Sequence, residues 1–119
     1  MPFWNMTLLF VAGLMGASGV AIAAAGAHAG GSNLSTAATF LLIHAAAITA
    51  VALHGPGFWF LVAASLLALG ACLFAGDLGV RAWGAPRLFP MAAPAGGILM
   101  IAGWICLALA PLAPTFTRP

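Results

Sequence analysis

The first charged side chain in this sequence is Asp77, and everything before it is free of Asp, Glu, Lys and Arg. A soluble fold cannot be built from such a stretch, because about a quarter of the residues in an ordinary soluble domain are charged. The whole chain of 119 residues carries only four charged side chains, Asp77, Arg81, Arg87 and Arg118, while 65% of it is hydrophobic. A domain of this size buries only about two-thirds of its surface on folding. Too few polar side chains remain to cover the rest, so the solvent that suits this chain is a bilayer.

A helix needs about 20 mostly apolar residues to cross the hydrocarbon core. The uncharged stretch holds three such helices, so its breaks must come from Gly, Pro, Asn and Ser. Gly30-Gly31-Ser32-Asn33 forms one break, with Ser35 and Thr36 able to cap the second helix. His54-Gly55-Pro56-Gly57 forms a second, since proline cannot continue a helix. Arg81, Gly84, Pro86, Arg87 and Pro90 form a third, and Pro111 and Pro114 mark the end of the last segment. The apolar segments are placed at about 4–28, 34–54, 58–79 and 92–112, with ends good to a few residues. Short connections make sequential helices antiparallel neighbours. The expected fold is therefore all-α, a single integral membrane domain folded as an antiparallel four-helix bundle. Alternation of apolar and polar residues is absent, which argues against a β-barrel. The first segment offers small residues from Ala21 to Ala25 like those of a secretory cleavage site. No basic residue precedes it, so it is expected to be a retained helix.

Tryptophan favours the membrane interface. Trp4 and Trp59 are expected at one interface and Trp83 at the other, with Trp104 packed inside the fourth helix. Helices in lipid associate through small residues that let backbones approach. Ala64, Ala68, Ala71 and Ala75 line one face of the third helix. Gly13, Gly16 and Gly19 slim the first, Gly26 and Gly30 flank His28, and Gly96 and Gly103 share a face of the fourth.

Ionisable groups at membrane depth are costly, so each needs a reason. His28, Asp77 and Arg81 are expected as a polar cluster at one end of the bundle. Asp77 and Arg81 have the i, i+4 spacing of a helical ion pair, and a His28–Asp77 hydrogen bond is the alternative. His44 lies deep in the second helix and is expected to bridge helices. Haem ligation by His44 would need a second histidine at similar depth, whereas His28 is too shallow and His54 lies at the opposite end. No metal or other cofactor is expected. Cys72 and Cys106 read as small buried apolar residues. No phosphate-binding loop, nucleophile elbow or zinc-protease motif occurs. A net charge of +2 is too small and dispersed for nucleic-acid binding. Drug/proton antiporters of similar size rely on a carboxylate in the first helix, and this first helix has none.

Four segments together resemble the DUF423 family of small four-helix membrane proteins, which has bacterial members and a eukaryotic branch. Ala25-Gly26-Ala27-His28 is similar to the family's GAFGAH, and Phe40-Leu41-Leu42-Ile43-His44 to its YxxxH. Leu73-Phe74-Ala75-Gly76-Asp77-Leu78 resembles LFSGSL. Ala93-Pro94-Ala95-Gly96-Gly97, continuing to Ala102-Gly103-Trp104, resembles TPxGG…AGW. The resemblance runs from about residue 12 to 110, one motif per helix. It implies packing roles for Gly26, Gly76, Pro94, Gly96 and Gly97. Ala75 and Asp77 stand where the family has serines, Ala93 where it has a capping threonine, and Phe40 where it has a tyrosine.

The resulting expectation is a non-enzymatic protein of a bacterial inner membrane, acting as an accessory or scaffolding subunit. Its partners are the lipid bilayer and either further copies of itself or a larger membrane complex. The alternative is a small transporter or a binder of lipid, proton or solute that uses His28, His44 and Asp77.

Overall fold

The computed structural model describes residues 1–29 and 32–113. The break at Gly30-Gly31, and Pro114 and Arg118 near the end, lie outside the described residues. Four helices follow one another: α1 (Phe3–Ala29), α2 (Ser32–His54), α3 (Phe58–Ala82) and α4 (Ala92–Leu109), and a 3-10 turn (Ala110–Leu112) completes the last. Among the described residues there is no strand. Each helix is long and apolar enough to cross a membrane. At about 1.5 Å per residue, the 27 residues of α1 reach about 40 Å, enough to pass both interfaces of a bilayer.

Two ends differ from expectation by more than one residue, the start of α2 and the end of α3. α2 starts at Ser32, so Ser35 and Thr36 fall inside its first turns. α3 runs three residues past the expected stop at 79, to Ala82, because nothing before Gly84 breaks it; Gly84 has φ +95°. α4 tightens into a 3-10 turn at Ala110, because Pro111 has no N–H for an α-helical bond.

The turn between α2 and α3 is made possible by Gly55, whose φ of +114° suits a residue without a Cβ. α1 packs along α2, α3 packs along α4, and α2 and α3 join the two pairs. α1 touches α3 over a short stretch, and α1 and α4 barely meet. The bundle is thus two antiparallel hairpins joined through its middle, open between its first and last helices. Ile48 of α2 and Leu67 of α3 are the largest fully buried apolar side chains, set among Ala37, Ala45, Ala64 and Ala71. Phe10, Val20, Ile98, Ile101 and Ile105 point outward, as expected of a chain whose solvent is lipid.

Candidate functional site

His44 is 4% exposed and sits where α2 faces α3 and α4. Its Nδ1 lies 2.8 Å from the carbonyl of Phe40, one turn back. A carbonyl only accepts, so Nδ1 carries the proton. Nε2 then accepts from the indole N–H of Trp104 at 3.0 Å, and the neutral imidazole has both nitrogens engaged. The ring stacks on Phe40, meets Trp104 edge-on, and Phe40 in turn packs on Phe74 of α3. His44 therefore ties α2 to α4. The aromatic rings around it line the helix junction.

Asp77 is fully buried near the C-terminal end of α3. Its Oδ2 accepts from Nη2 of Arg81 at 2.6 Å and from Nε at 3.1 Å, the ion pair permitted by their spacing. Its Oδ1 accepts from the backbone N–H of Leu88 at 2.8 Å. One carboxylate thus holds the end of its own helix and pins the connection that leads to α4. Leu88 folds back until its Cδ1 lies 3.4 Å from where a Cβ on Gly76 would stand. His28 is exposed, and among the described residues it forms no hydrogen bond with Asp77. The structure brings Asp77 and Arg81 together and leaves His28 apart.

Two polar contacts were not anticipated from the sequence. Asn5 is fully buried, and its Nδ2 donates to the carbonyls of Ala52 and Gly55, each at 3.0 Å. The last carbonyls of a helix lack intrahelical partners, so Asn5 caps α2 from a neighbouring helix. Its Oδ1 has no partner among the described residues. A lone Asn in the first turn of an apolar helix is the available signal. The second contact joins the hairpins: Trp4 Nε1 donates to Ser65 Oγ at 2.9 Å, and that hydroxyl donates to the carbonyl of Leu61 at 2.7 Å.

The glycines separate into close and open positions. A Cβ on Gly96 would lie 2.7 Å from the backbone nitrogen of Phe74, and one on Gly103 would lie 2.8 Å from Leu67. Gly70, which the alanine stripe of α3 did not single out, meets the carbonyl of Gly96 at 2.7 Å in the same sense. Gly26 is moderately tight, with Leu34 at 3.2 Å. Gly97 meets nothing within 4 Å. It lies about 100° around the helix from Gly96 and so off the contact face. Pro94 is exposed in the first turn of α4. Cys72 is exposed rather than buried, and Cys106 is half-buried with its Sγ 3.6 Å from the carbonyl of Trp59. Among the described residues no three His, Cys, Asp or Glu side chains come together as a metal site would require.

Comparison with known proteins covers most of this architecture. Residues 22–97 match the family described as "Protein of unknown function (DUF423)". A UPF0382 membrane protein of Schizosaccharomyces pombe is 33% identical over 116 residues, covering 83% of this chain and 96% of that protein. No solved structure matches.

Proposed function

The chain belongs to the DUF423 family, and on that footing we propose that it is a non-enzymatic accessory or scaffolding subunit. It works by lateral association in the bilayer, with copies of itself or within a larger membrane complex. The observation that carries this reading is the state of the buried His44 and Asp77. His44 has both ring nitrogens engaged and Asp77 both carboxylate oxygens, all within the chain. His44 joins α2 to α4 and Asp77 fixes the connection from α3 to α4, so both are engaged in holding the fold. What the molecule presents to its surroundings is apolar helix surface, and helix surfaces in lipid associate by fit rather than by hydrophobic expulsion. Among bacterial membranes, helical spans suit the inner one, which is the proposed setting. Native mass spectrometry and crosslinking in mild detergent test the proposal. A discrete oligomer or a stoichiometric co-purifying subunit is expected. A strictly monomeric protein without partners overturns it.

A further inference from the structure

A lateral groove of about 420 Å³ opens where α1 crosses α3. Its walls include Val11, Met15 and Ile22 of α1, and Gly76 and Gly79 of α3, with Trp83 at one end. Both walls advance about eleven residues, so the groove runs roughly 17 Å at 1.5 Å per residue, close to half of the hydrocarbon core. It has the length of a single leaflet, and one end lies at the exposed indole of Trp83, a residue that favours the interface. Such a space, apolar and open to lipid from the side, has the length and direction of an acyl chain.

The end at Trp83 is also where the basic residues collect. The Asp77–Leu88 hydrogen bond fixes the connection from α3 to α4, and Leu88 rests against Gly76 in the groove wall. Arg87 immediately precedes Leu88 and is exposed. The sole carboxylate nearby, Asp77, is buried and paired with Arg81. Arg87 is thus an exposed cation on the connection that the buried carboxylate fixes, one residue from the Leu88 side chain that rests against the groove wall. The geometry points to a site for one anionic phospholipid, with an acyl chain in the α1/α3 groove and its phosphate on Arg87. Basic residues at the ends of interhelical crevices are the usual means of selecting such head groups. Asp77 serves both readings as an anchor of the α3–α4 connection, but the groove and Arg87 take no part in the assembly role, so the two readings fail on different measurements.

The test is native mass spectrometry of the full chain from mixed micelles holding equal amounts of phosphatidylglycerol and phosphatidylcholine. The wild type is expected to retain one phosphatidylglycerol, about fivefold in preference, the effect of one basic residue at an anionic surface. Gly79→Leu is chosen to plug the groove, since a Cβ at Gly79 meets nothing within 4 Å and the added side chain starts in open space. It should lose retention of both lipids while keeping its helical circular dichroism and elution volume. Arg87→Gln should keep one lipid bound and lose the preference for phosphatidylglycerol. Equal retention of the two lipids by the wild type overturns the proposal. So does a preference that both variants leave intact, or a dimer that Gly79→Leu abolishes, which would make the groove a contact between copies.

Discussion

An indole nitrogen can only donate and a carbonyl oxygen can only accept, and between them they decide the state of His44. Phe40 takes the proton on Nδ1 and Trp104 supplies one to Nε2. Trp104→Phe keeps most of the packing and leaves Nε2 unpaired. It should cost about 1 kcal/mol, the scale of interhelical hydrogen bonds in membranes. A double-mutant cycle with His44→Leu, followed by unfolding in mixed detergent, should return a coupling of about 0.6–1.7 kcal/mol. No coupling would mean that the bond contributes nothing. The need for a partner at His44 was legible from its depth alone. The partner was not, because the sequence does not state how α2 and α4 cross. Asn5 was missed for a related reason. Its partners are carbonyls orphaned by the end of α2, and backbone groups leave no mark in side-chain spacing.

At the scale of the helix, glycine position matters more than glycine content. α3 and α4 approach so closely at Gly70 and Gly96 that neither tolerates a methyl without backbone movement. Gly70→Ala should destabilise the protein by about 1–3 kcal/mol, the cost of overpacking a tight contact. Gly97→Ala should be neutral, or stabilising by up to about 1 kcal/mol through helix propensity. Thermal unfolding of the two variants in the same detergent checks the contrast, and equal effects would refute the contact face. The span of each helix was readable from apolar length and Gly/Pro breaks. The contact face of α4 was readable in Gly96 and Gly103, which are seven apart. Gly97 was grouped with them by motif, but a motif is linear and a helix face recurs every three or four residues.

For the molecule as a whole, the four helices and their alternation of direction were legible because nothing else can be made from so little charge. The openness between α1 and α4 was not, since chain order alone also suits a closed square of helices. The arrangement sets the depth of each tryptophan. Trp83 follows α3 at one interface, Trp4 sits in the first turn of α1 at the other, and Trp104 lies within α4. In single-tryptophan variants reconstituted with brominated lipids, deep bromines should quench Trp104 more than Trp83, and shallow bromines the reverse. Identical depth profiles would overturn the register.

The two indole bonds, Trp4 to Ser65 and Trp104 to His44, both run from one hairpin to the other. During synthesis the α1–α2 hairpin is complete before α3 emerges. Ser65 is available to Trp4 once α3 is made, but His44 must wait until α4 has left the ribosome, because its partner Trp104 lies in the last helix. The imidazole buried in the finished protein is therefore an open acceptor throughout the insertion of the first three helices. Its closure by Trp104 is a late step of biogenesis, and a chain halted after α3 leaves the membrane-insertion machinery with that end unsealed.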